Sequence, residues 1–193
     1  MRLIHGNGVN NGKYPTKRNG VHLKEYTMWR NMISRCYSEE IQKIRPTYKN
    51  CTVSDNFKDY SYFYEWCQNQ IGFGLDGWSL DKDLLFKGNK IYSDDTCVFI
   101  PDEINSLLTK RQNFRGDHPI GVHFVKHIKK YAAEVNVCGK KKRLGYFNSD
   151  IEAFNAYKVE KENLIKDIAN KNKGKITHKA YIALINYTVD IED

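Results

Sequence analysis

Between Ile120 and Ile165 the chain runs through three short segments of alternating polarity and then into one amphipathic helix. In the second segment Tyr131, Ala133, Val135 and Val137 share one face by the two-residue strand period, and Lys130, Glu134 and Asn136 share the other. The third segment turns Lys141 and Arg143 outward, and Gly139-Lys140 supplies the hairpin turn before it. A sheet of this pattern buries one face against the helix and leaves the other lined with bases, acids and amides. The segment order therefore predicts an α+β fold: a helical N-terminal region with a ββα unit, then a three-stranded antiparallel sheet packed on one helix.

Composition narrows the partners. The 193 residues include 31 Lys and Arg against 23 Asp and Glu, a formal charge of +8. Such a surplus favours polyanions, because each cation placed on a phosphate releases condensed counterions. Hydrophobic residues make up 40% of the chain, enough for packed cores and against global disorder. No apolar run approaches the roughly 20 residues needed to cross a bilayer, and the first residues lack the apolar stretch of a secretion signal. A cytoplasmic setting is the expectation. Cys36, Cys51, Cys67, Cys97 and Cys138 show no CxxC spacing and read as reduced core thiols.

Residues 1–22 are rich in Gly, Asn and basic residues and read as a flexible arm. Trp29, Met32, Ile33 and Cys36 then fall at helical spacing. A short strand over 51–54 precedes Asp55, a good helix N-cap, and an aromatic helix over about 57–70 carries Phe57, Tyr60, Phe63, Tyr64 and Cys67. Residues 78–108 read as two strands around a turn at 87–90, followed by a helix with Pro101 in its first turn. The basic, turn-rich stretch 111–119 marks an expected boundary between a domain at 23–112 and one at 113–193. Ser149 and Glu152 form a capping box at the start of a long helix, interrupted at 171–175, and Tyr181, Leu184 and Ile185 suggest a last short helix.

Gly121-Val122, the run from Lys130 to Val135, Leu144-Gly145-Tyr146-Phe147 and the run from Glu152 to Tyr157 together resemble the Apetala-two type DNA-binding domain, over about 45 residues. The resemblance implies that the sheet enters the major groove of double-stranded DNA. It assigns the DNA-facing positions to His123, Val125, Glu134, Asn136, Lys141 and Arg143, and Lys126 and Lys130 join them as basic neighbours. This chain departs from the Apetala-two domain of plant transcription factors, which has arginines at the positions of His123, Val125 and Asn136, and tryptophan at that of Arg143.

Residues 23–112 resemble phage and mobile-element endonucleases of the His-Asn-His type through Tyr26, Trp29, Met32, Arg35-Cys36-Tyr37, Leu80-Asp81-Lys82-Asp83, Tyr92-Ser93, Cys97, Pro101 and Ile104-Asn105. In such a finger a histidine deprotonates the attacking water and a divalent metal stabilises the leaving oxygen. Lys82 stands at the histidine position, Thr96 near the central asparagine and Asn105 at the last ligand position. A lysine normally titrates near 10.4 and is protonated at pH 7, so the finger reads as degenerate. A catalytic version would use Asp81, Lys82, Asp83 and Asn105, with Asp81, Asp83 and Asn105 holding Mg2+ or Mn2+ and His118 or His123 as base. Three functions follow as alternatives: a DNA-binding protein of endonuclease descent, an active metal-dependent nickase, or a phage factor that binds an acidic host protein.

Overall fold

The computed structural model describes residues 3–109, 118–137 and 139–192. Among these residues the chain is α+β, with helices interspersed among four small sheets. Its elements are β1 (Lys17–Arg18), β2 (Val21–His22), α1 (Lys24–Tyr37), α2 (Glu39–Ile44), β3 (Thr52–Val53), α3 (Asp55–Lys58), α4 (Tyr60–Gln68), β4 (Trp78–Asp81), β5 (Ile91–Tyr92), β6 (Val98–Pro101), α5 (Asp102–Leu108), β7 (Val122–Val125), β8 (Lys130–Val137), β9 (Lys140–Phe147), α6 (Asp150–Lys171) and α7 (His178–Ile185). Two compact units result, Met1–Pro101 with Lys175–Ala180, and Asp102–Gly174 with Tyr181–Asp193. The division falls earlier than the stretch 111–119, most of which lies outside the described residues. Within the second unit Glu103 on α5 accepts hydrogen bonds from Asn172 at 3.1 Å and Lys171 at 3.5 Å, which ties α5 to the end of α6.

The first unit is built on an aromatic core. Trp29, Ile33, Phe57, Tyr60, Phe63 and Cys67 are each fully buried, and burying a side chain of this size stabilises the fold by roughly 1.5–3 kcal/mol. Phe57 meets Phe63 edge-on at 5.1 Å and Trp66 at 4.8 Å, and the Trp29 indole N–H donates to the Phe57 carbonyl at 2.9 Å. The helix expected over 57–70 is divided at Asp59. The Asp59 carboxylate accepts from Ser61 N at 2.7 Å and opens α4 afresh. Ser54, rather than Asp55, caps α3, accepting from Phe57 N. Residues 3–22, read from composition as a free arm, are laid on this core. Val9 bridges to Asp59, Ser61 Oγ donates to Asn11, and the Tyr60 hydroxyl donates to the Pro15 carbonyl. Gly8 fits against Trp29, where a β-carbon would stand 3.0 Å from the indole. Glycine made the segment look loose, yet here it permits a close approach.

Strand pairing between 78 and 101 also differs from a plain hairpin. β4 pairs antiparallel with β6, whereas Ile91–Tyr92 pairs in parallel with Thr52–Val53. The Asn89 side chain explains the difference: its amide donates to the carbonyls of Lys82 and Ile91, which closes 82–91 into a loop of its own.

In the second unit β7, β8 and β9 form an antiparallel sheet in that order. Ala133, Val135, Ala153, Phe154, Tyr157 and Val189 make its core, between the odd-numbered side of β8 and α6. Ser149 Oγ accepts from Glu152 N at 3.2 Å, and the Glu152 carboxylate accepts in return from Asn148 N at 3.1 Å. Gly121 has φ +77°, and a β-carbon there would sit 2.1 Å from the Tyr157 ring. Only glycine satisfies both demands at the entry to β7.

Candidate nucleic-acid interface

The register of the sheet decides what its outer side presents. Directly opposed residues share a face, and the pairs Val125 with Lys130, His123 with Ala132, Glu134 with Arg143 and Asn136 with Lys141 all lie opposite the Ala133–Val135 core. This gathers His123, Val125, Lys130, Glu134, Asn136, Lys141 and Arg143 on one side. Lys126 stands at the start of the turn that links β7 to β8. His123, Lys130, Asn136, Lys141, Arg143 and Tyr146 are exposed, and Ala132 forms a buried floor between His123 and Tyr146. Lys130, Lys140, Lys141, Lys142 and Arg143 stand on the three strands against one acid, Glu134. Lys140 and Lys142 are the exceptions to the outward set: they are paired with Val137 and Val135, on the core side, and Lys142 reaches Glu160 of α6 at 2.8 Å.

A bulge makes the outer face. Ala133 pairs with Gly145, but the next residue, Glu134, pairs with Arg143, so Leu144 is supernumerary on β9. Simple alternation would place Arg143 and Tyr146, three residues apart, on opposite faces. With the extra residue inserted they share one, and Leu144 packs against the core of the unit. Arg143 Nε and Nη2 donate to Glu134 Oε1 at 3.0 and 2.7 Å, and Nη1 donates to the Tyr146 hydroxyl at 2.5 Å. Lys141 Nζ lies 3.9 Å from Glu134 Oε2. These hydrogen bonds from Arg143 hold the Glu134 carboxyl below the usual carboxylate range, with smaller help from the nearby His123, Arg143 and Lys141 charges. Sequence reasoning did not single out Tyr146, because its place on this face depends on the bulge. Gly145 beside it was the available signal, since glycine within a strand often marks a bulge.

The residues assigned to catalysis are differently engaged. Lys82 is 5% exposed, and its ammonium donates to Asp83 Oδ1 at 2.5 Å and to the Asn89 carbonyl at 2.8 Å while lying 5.6 Å from the Tyr92 ring centre. Asp81 Oδ1 accepts from the backbone N–H groups of Asp83 and Leu84 at 2.9 and 2.7 Å, forming the turn that ends β4. Burial is the main influence on Asp81 and raises its carboxyl above the ordinary value. Both carboxylates are thus committed to the loop, and an ammonium sits on one of them. A divalent cation does not fit beside that charge. Thr96 Oγ1 is likewise held in a local turn by Ser93 and the Ile91 carbonyl. Asn105 lies on α5, in the second unit, as do His118 and His123. His118 Nδ1 lies 3.8 Å from Asp150, and its ring meets Tyr131 edge-on. Among the described residues no three His, Cys, Asp or Glu side chains gather as a metal site.

The four described cysteines are free and buried, and burial pushes the Cys36 and Cys97 thiols up to about 12, as inert core groups. Compared with family profiles, with curated proteins and with solved structures, the chain matches none.

Proposed function

We propose that this protein binds double-stranded DNA by laying the outer face of β7, β8 and β9 in the major groove, as an Apetala-two type module. The observation that carries this reading is the exposed face on which Lys130, Asn136, Lys141 and Arg143 stand together, flanked by Lys126. A two-stranded or three-stranded ribbon fits the roughly 12 Å width of that groove, and its cations reach phosphates on either side. Residues 23–112 we read as a His-Asn-His type finger scaffold of endonuclease descent without its chemistry. β4 pairs with β6 and α5 follows directly in the chain, in the order of a ββα finger. Lys82, itself buried, fills the place of the general base and is paired with the exposed Asp83 carboxylate.

The test is a titration of labelled duplex with the whole protein at several salt concentrations, followed by fluorescence anisotropy. Neutralising about four phosphates gives a log–log slope near −3 to −4. Binding that is absent, or indifferent to salt, rejects the DNA reading in favour of a protein partner.

A further inference from the structure

Glu134 is out of place on a surface built for phosphates. It stands in the middle strand, amid Lys130, Lys141 and Arg143, and its negative charge weakens every phosphate contact made nearby. A face selected only for charge has no use for it. Its geometry shows what it does instead. Only 16% of the Glu134 side chain is exposed, whereas Arg143 is 50% exposed, so the acid sits low and the guanidinium rides above it.

A guanidinium carries five N–H donors. Glu134 Oε1 takes two of them, from Nε and Nη2, and the Tyr146 hydroxyl takes one from Nη1. Two remain, one on each terminal nitrogen. Two parallel N–H donors from one arginine match the O6 and N7 acceptors of guanine in the major groove. The Tyr146 ring lies beside the same group, 5.2 Å from its central carbon. The side chain is therefore gripped on two sides before any ligand arrives, which reduces the rotamer freedom lost on binding.

We infer that Arg143 reads a guanine base, and that Glu134 and Tyr146 are positioning residues that fix its donor pair for this purpose. The inference rests on the DNA reading above and deepens it by naming the base recognised. A phosphate needs no such fixation, because it accepts from many directions and Lys141 next door already serves it.

The experiment is selection of bound duplexes from a pool with randomised sequence, using the whole protein, followed by titration of the selected site and its single-base variants. The wild type should prefer guanine over any other base at one position by about ten- to a hundredfold. Arg143→Lys keeps the charge but loses the paired donors, and should flatten that preference, so that the selected site and its single-base variants bind alike. Glu134→Gln and Tyr146→Phe should each reduce the preference several-fold, and Glu134→Gln should tighten binding to unrelated duplex, since a repulsive charge is gone. Arg143 and Tyr146 are exposed and Glu134→Gln preserves shape, so thermal melts of the variants should stay close to the wild type. Uniform wild-type binding with no base preference overturns the inference and leaves the DNA reading standing. The inference also falls if Arg143→Lys preserves the preference, or if Glu134→Gln changes affinity for all sequences equally with the preference intact. Absence of duplex binding by the wild type overturns both.

Discussion

The Lys82 ammonium is joined to Asp83 at 2.5 Å with 5% of the lysine exposed, so the residue that the proposed finger reading puts in the place of a general base is already engaged. Its other hydrogen bond, to the Asn89 carbonyl, fastens the loop between β4 and β5. We expect Lys82→Ala to destabilise the first unit by about 2–3 kcal/mol, through the orphaned carbonyl and lost packing of the stem. Lys82→Met keeps the stem and should cost about 1 kcal/mol less. Urea unfolding of the three proteins measures both differences.

Plasmid nicking provides the complementary measurement. With Asp81 tied to two backbone N–H groups and Asp83 to Lys82, supercoiled DNA incubated with the protein and magnesium or manganese should remain intact. Cleavage that disappears in Asp81→Ala and in Asn105→Ala would restore the catalytic reading.

Replacing both cations at the outer end of β9 probes the sheet. Lys141→Ala with Arg143→Ala should weaken duplex binding at least about tenfold at moderate salt, and the salt slope should fall by about 1 for each phosphate that is no longer neutralised. Unchanged affinity would mean that another surface meets the DNA.

Gly121→Ala tests the joint between β7 and α6. A methyl group at φ +77° and 2.1 Å from the Tyr157 ring should cost about 2–4 kcal/mol, by backbone strain and overpacking together. A melting temperature equal to the wild type would contradict that close approach.

Lys161 gives a dependence on pH. Burial lowers its ammonium to about 8, so between about pH 8 and 10.5 the folded chain holds fewer protons than the unfolded one. Stability from this group therefore increases as pH rises through that window. Buried thiols and phenols such as Cys36 and Tyr92, raised by burial, act in the opposite sense above about pH 9. The contribution is read as the difference between the wild type and Lys161→Met, which should favour the variant at pH 7 and shrink as pH approaches 10.5.

Periodicity made the sheet and its helix legible. The alternation from Lys130 to Val137 and the stripe through Ala153, Phe154 and Tyr157 are local signals, and burial follows them except at Ala132, which is buried on the outer side. Long-range pairing was harder to read. Nothing near Ile91 announces that it will lie parallel to Thr52, about forty residues away. The N-terminal segment misled for a related reason: Gly8 looks permissive alone, and its role appears only once Trp29 is beside it. At the site, Lys130, Glu134, Asn136, Lys141 and Arg143 followed from alternation, and His123 and Val125 from the resemblance alone, but Tyr146 did not follow, because one unpaired residue shifts the count.

That spare residue, Leu144, also governs the shape of the ribbon. Its removal would leave each pair on either side matched as before and would keep the same side chains on each surface. What changes is the coiling of the strand, which an inserted residue tightens locally. If the sheet enters a duplex as proposed, the pitch with which it would follow the groove is set from behind, by a leucine turned toward the core.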